Sequence, residues 1–148
     1  MTLSTYETAV RPEWIDYNGH LSEAFYVLVF GFATDEAMAA LGLGEEYRSH
    51  TACSLYTVEA HVRYLDEVGL GSDLRVATDV VGVTAKKLHL AHTMVVDGRT
   101  VATEELLALH VDQNRGRAVA LPESVESAAR AALAEAPSWA GRCVGQPT

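Results

Sequence analysis

The chain has 148 residues, 49% of them apolar and 21% charged, enough for one domain with a hydrophobic core of its own. Its 20 acidic and 11 basic side chains leave a net charge of −9, a field that repels phosphates and so disfavours nucleic acid and anionic lipid as partners. Cys53 and Cys143 make no metal-ligand spacing or disulfide framework, residues 1–10 lack the pattern of a secretory leader, and the apolar run 24–33 is too short to span a bilayer, so the expectation is a cytoplasmic protein with no metal and no membrane contact.

Residues 5–10 read as a short strand edged by Pro12. The stretch Trp14-Ile15-Asp16-Tyr17-Asn18-Gly19-His20 fits neither a period of two nor one of 3.6 and carries an Asn-Gly turn, so it reads as a loop. With Ser22 as N-cap, an apolar run begins at Ala24, breaks at Thr34 and Asp35 and resumes from Ala37 to Leu41, where Gly42 and Gly44 stop it. A helix apolar on nearly every side is expected to be buried all round, with Gly31 as the point of any bend.

Residues 45–50 read as a polar connection. In residues 54–64 the alternation puts Tyr56, Val58, Ala60, Val62 and Tyr64 on one face and Thr57, Glu59, His61 and Arg63 on the other. Residues 69–73 turn the chain into a strand over 74–83. Strands over 87–96 and 99–112 follow, joined by Asp97-Gly98, a two-residue hairpin signal. After a turn at 112–117, Pro122 and Glu123 open an alanine-rich helix that runs to about Ala134. The predicted class is α+β: one long central helix wrapped by a curved antiparallel sheet of about five strands over residues 1–121, with the helix and tail of 122–148 in the same domain.

The start of a buried helix offers unpaired backbone N–H groups and the positive end of a dipole, a ready site for an oxyanion. Asp16 lies on the loop that leads there, and Gly19 permits close approach of a substrate to the backbone. A carboxylate beside oriented donors suits acyl transfer. By residue type alone, though, an aspartate before an Asn-Gly turn more often caps that turn. His89 and His92, three apart on a strand, point to opposite faces and cannot share a metal. No G-x-S-x-G elbow is present, which argues against a serine hydrolase.

The run Asp16-Tyr17-Asn18-Gly19-His20-Leu21-Ser22-Glu23-Ala24-Phe25-Tyr26 resembles the signature D-x-x-G-H-[VM]-N-N-x-x-Y of the 4-hydroxybenzoyl-CoA thioesterase-like hotdog proteins, with Ser22 and Glu23 replacing the two asparagines. Residues 10–20, Tyr56-Thr57-Val58-Glu59 and Leu109-His110-Val111-Asp112 further resemble the betainyl-CoA thioesterases of carnitine catabolism, which also occur fused to carnitine dehydrogenase. The resemblance implies a hotdog fold, an acyl-CoA substrate whose coenzyme A is the only cofactor involved, and an active site at the interface of a homodimer or homotetramer. It implies Asp16 as nucleophile or general base and the backbone N–H of Glu23 as oxyanion donor. His20 would orient the loop or a water, a role that competes with ordinary structural packing.

Betaine carries a quaternary ammonium, which aromatic faces attract. Candidate acyl-binding residues are therefore Trp14, Tyr17, Tyr26 and Tyr56, with Gly19 beside them and Glu59 as counter-charge; any one ring alone is more often core. On the predicted alternation Tyr56 and Glu59 fall on opposite faces of their strand. Arg63, Lys86 and Lys87 are the candidates for coenzyme A, with Arg115 and Arg117 the other notable cations. The alternatives are a thioesterase for aromatic or short aliphatic acyl-CoA, or a hotdog protein that binds acyl-CoA without turnover.

Overall fold

A computed structural model describes residues 2–147; Met1 and Thr148, the outer limits of the expected domain, lie outside them. β1 (Ser4–Ala9) leads through a single 3-10 turn (Pro12–Trp14) and the Asp16 loop into α1 (Glu23–Ala40). α2 (Glu45–Thr51) follows, where the sequence suggested only a polar connection. Its residues are exposed or half-buried, so no apolar stripe announced it. Then come β2 (Cys53–Tyr64), β3 (Asp73–Val83), β4 (Lys87–Val96), β5 (Arg99–Asp112), the two-residue β6 (Arg117–Ala118) and α3 (Glu123–Ala131).

The sheet is antiparallel, in the order β1-β3-β4-β5-β2, with β6 beside β5. Strands consecutive in the chain thus pair across β3, β4 and β5. β2 instead crosses to pair with β5, which leaves it as a free edge. α1 lies on one face of this sheet, and two apolar clusters fill the space between them. The first surrounds Val29, Phe30, Val76 and Met94; the second joins Ala37, Val80, Leu90 and Leu106 to Val125 and Ala129 of α3, so the C-terminal helix shares the one core.

α1 runs unbroken through Gly31, but it is not buried all round. The sheet covers the side carrying Tyr26, Val29, Phe30, Ala33 and Ala37, while Ala24, Val27, Leu28, Gly31, Phe32 and Asp35 line an open groove of 550 Å³. One sheet of this width encloses only half of a helix.

β2 is not a uniformly alternating strand. Its register against β5 slips between Thr57 and Glu59, so Val58 is a bulge with no partner. Tyr56 pairs with Leu109 and Glu59 with Leu107, two residues apart on β5, which puts Tyr56 and Glu59 on the same face. That face points away from α1. Leu55 before the bulge and Val62 after it both pack into the core. The uniform alternation read from the sequence therefore breaks at one inserted residue.

Candidate active site

The loop ahead of α1 is closed by backbone pairing: Ile15 bridges Leu21, the Ser22 N–H donates to Trp14 O at 2.9 Å, and the Asp16 N–H donates to His20 O at 3.0 Å. Gly19 takes a φ of +79°, which a side chain would strain, and its N–H donates to Asp16 O. The Asp16 side chain accepts from the Asn18 N–H at 2.8 Å through Oδ1. Turn cap and reactive carboxylate are therefore compatible, because the cap uses one carboxylate oxygen and leaves Oδ2 without a partner among the described residues.

Ser22 occupies the N-cap position of α1 without a side-chain cap bond. The N–H groups of Glu23 and Ala24, at the first turn, find no acceptor among the described residues. Beside them lies a 340 Å³ pocket lined by Leu21, Glu23, Tyr26, Tyr64, Leu65, Asp66 and Glu67. The Tyr26 phenol donates to Asp66 O at 3.0 Å, and its ring meets that of Tyr64 edge to face at 5.1 Å. Burial, followed by the charges of Asp66, Glu67, Tyr64 and Asp16, pushes the Tyr26 phenol up. The Tyr64 hydroxyl donates weakly to Glu23 O at 3.4 Å.

The other candidates scatter. Trp14 is only 4% exposed, stacked on Phe25 and carrying the Arg11 guanidinium at 5.3 Å, so its ring is committed to packing. Tyr17 is 98% exposed at the tip of the loop. His20 turns towards Glu67, with Nδ1 3.4 Å from Oε2. Tyr56 and Glu59 lie on the outer face of the sheet, away from the pocket of their own chain. Lys87 stands opposite Leu109 and Arg63 opposite Thr103, six residues apart along β5, or roughly 20 Å. Within one chain these cations cannot grip the same phosphate.

Two features went unread in the sequence. Tyr64 was visible on β2 but not linked to Tyr26. Glu104 sits in phase with Ala102, Leu106 and Ala108, which are buried on the helix side of β5, a signal that a carboxylate points inward. His92 and His89 do face opposite ways. His92 lies under α1, whereas His89 on the outer face donates to Glu105 at 2.8 Å. Burial alone would raise the Glu105 carboxyl, but hydrogen bonds from the Gly141 and Arg142 N–H groups and from His89 hold it below its usual value.

Comparison with known proteins agrees with this architecture. A betainyl-CoA thioesterase of Pseudomonas aeruginosa is 43% identical over 98% of this chain and 96% of its own length. The L-carnitine dehydrogenase/betainyl-CoA thioesterase of Agrobacterium fabrum is 44% identical over 83% of this chain, which matches 25% of that longer protein. A Staphylococcus aureus protein solved in complex with CoA superposes with a TM-score of 0.89 at 28% identity, covering 97% of this chain and 94% of that one. The hotdog architecture is thus shared with its structural neighbours, and the thioesterase-like superfamily model spans residues 10–129, from the end of β1 into α3 and across the whole Asp16 loop: the chain belongs to that superfamily.

Proposed function

We propose that the protein hydrolyses betainyl-CoA to betaine and free coenzyme A, with Asp16 as its reactive carboxylate. The observation that carries the reading is the junction of the Asp16 loop with the uncapped start of α1. Along that loop one Asp16 carboxylate oxygen is free of the turn, and at its end two N–H groups are free of the helix. The thioester carbonyl oxygen takes its developing charge against the Glu23 N–H, where the helix dipole adds to the hydrogen bond. Asp16 either attacks the carbonyl carbon or takes a proton from the water that does. The carbon–sulfur bond then breaks, the thiolate leaves with coenzyme A, and water supplies the oxygen of the acid. Coenzyme A enters with the substrate, and no further cofactor takes part.

The acyl preference is supported by the similarity to betainyl-CoA thioesterases and by a pocket that pairs tyrosines with carboxylates. The working unit in this reading is a dimer. β2 is an edge strand whose Tyr56 and Val58 are exposed, and the neighbouring face of α1 leaves Val27 and Leu28 uncovered; a second copy would cover both. The outer-face residues Tyr56, Glu59 and Lys87, with Lys86 in the turn before β4, would then reach the site from the other subunit. A cytoplasmic location follows from the reading, since CoA thioesters are made there, and it suits two unpaired cysteines.

The test is a thioester panel followed by free-thiol release, containing betainyl, benzoyl-type and short aliphatic acyl-CoA. The highest kcat/KM is expected on betainyl-CoA. A higher value on an aromatic acyl-CoA would replace the substrate assignment while leaving the thioesterase in place. Binding without thiol release from any substrate would remove the enzyme reading.

A further inference from the structure

Beneath α1, where the two apolar clusters meet, lies a belt of polar groups on the helix side of the sheet. The Thr34 hydroxyl donates to Phe30 O at 3.1 Å and so accepts from His92 Nε2 at 2.9 Å. With its proton on Nε2, His92 accepts from the Thr78 hydroxyl at Nδ1, at 2.7 Å. This network assigns His92 as a neutral ring with both nitrogens satisfied. Burial acts in the same direction, holding the imidazolium form down to about 4.

Glu104 borders this belt and has no such satisfaction. It is 5% exposed, makes no side-chain hydrogen bond among the described residues, and its nearest cation-forming neighbour is the neutral His92, 3.9 Å away. Burial is the sole cause that moves its carboxyl, up to about 7; no donor pulls it back. Among the described residues only Ser4 Oγ is a fully enclosed side-chain polar atom without a partner, so the nearly buried Glu104 carboxylate, with no donor of its own, keeps an opening to the outside through which a ligand can supply a compensating charge.

The position of Glu104 shows which ligand. It stands directly across from Val62 on β2, one diagonal step from Tyr64 on the same face. Tyr64 is 46% exposed, and after burial the charges of Glu23 and Glu104 are what push its phenol up. Tyr64 lines the pocket at the start of α1, where the thioester carbonyl would lie, and shares the helix-side face of the sheet with Glu104. We infer that Glu104 is the counter-charge that selects a cationic acyl group, with the Tyr64 ring as the aromatic face over which a quaternary ammonium settles. This assignment rests on the betainyl-CoA reading and deepens it. It replaces Glu59, on the outer face, as the counter-charge contributed from the helix side of the sheet. A quaternary ammonium donates no hydrogen bond, so a carboxylate kept free of hydrogen-bond partners suits it: the attraction is Coulombic, strengthened by the low dielectric, and needs no directed donor.

The experiment compares betainyl-CoA with tert-butylacetyl-CoA, in which carbon replaces the charged nitrogen at equal size. The wild-type protein is expected to favour the cationic substrate by about tenfold or more in kcat/KM. Glu104→Gln should lower that ratio by about tenfold, chiefly through a higher KM for betainyl-CoA, while activity on the neutral substrate stays within about twofold. Glu104→Asp, which keeps the charge, should retain most of the preference, and Tyr64→Leu should lose part of it. Equal losses on both substrates, or an unchanged ratio in Glu104→Gln, would overturn the assignment. Should the wild-type protein hydrolyse tert-butylacetyl-CoA but not betainyl-CoA, the substrate reading itself falls, an outcome visible before any variant is made.

Discussion

His92 Nε2 and Glu104 Oε1 face each other at 3.9 Å beneath α1, and burial moves the two groups in opposite directions. For Glu104 the folded value, about 7, lies above the unfolded 4.5, so its contribution to stability is complete below about 4.5 and lost as pH rises through about 7. For His92 the folded value, about 4, lies below the unfolded 6.5, so its contribution is present above about 6.5 and lost as pH falls through about 4. The two slopes oppose each other and flatten the wild-type profile.

Glu104→Gln removes one slope. The variant is expected to be more stable than the wild type at pH 8, by at most about 3 kcal/mol, and close to it at pH 4.5. Thermal unfolding across that range checks this. A variant destabilised equally at every pH would mean that the carboxylate holds the fold through contacts of its own.

Asp16→Asn separates cap from chemistry. The amide oxygen can still accept from Asn18, so the turn is expected to survive and the melting temperature to stay within a few degrees. Thiol release should fall by roughly a hundredfold or more. Near-normal turnover in a folded Asp16→Asn protein would remove Asp16 from the mechanism.

Gly19→Ala tests the loop in another way. Nothing lies within 4 Å of the position a Cβ would take, so the only obstacle is the φ of +79°. The expected loss is about 1 kcal/mol of stability together with a larger drop in kcat, because relaxing the strain moves Asp16 away from the helix start. Unfolding midpoints and steady-state rates separate the two effects; an unchanged kcat would show that the turn need not hold its shape.

The edge strand carries the assembly prediction. Light scattering at micromolar concentration should give a dimer or a higher even-numbered oligomer, and Val58→Asp should shift it towards monomer with loss of activity. A fully active monomer would rule out a site shared between subunits.

Much of this was legible in the sequence. The apolar run from Ala24 to Leu41, the Asp97-Gly98 hairpin and the inward/outward split of His89 and His92 all reflect local periodicity, and local periodicity survives folding. What escaped depended on distant pairing. α2 has no buried face to betray it, the crossing of β2 to β5 is a choice of partner, and the exposed side of α1 reflects the width of the sheet. At the site, the Asp16 loop announced itself through Asn18 and Gly19. The pairing of Tyr26 with Tyr64 joins residues 38 positions apart and exists only once β2 lies beside α1.

Val58 gives β2 something like a shifted reading frame. Six positions follow the bulge, and each faces the side it does because one residue was skipped in the count against β5. Deleting Val58 would leave those six positions on their present partners, whereas pairing it with Leu107 would turn all six over. His61 and Arg63 would then press against α1, while Val62 and Tyr64 would swing out to solvent. One residue left out of the count thus sets, from the far end of the strand, which side chains wall the pocket at the start of α1.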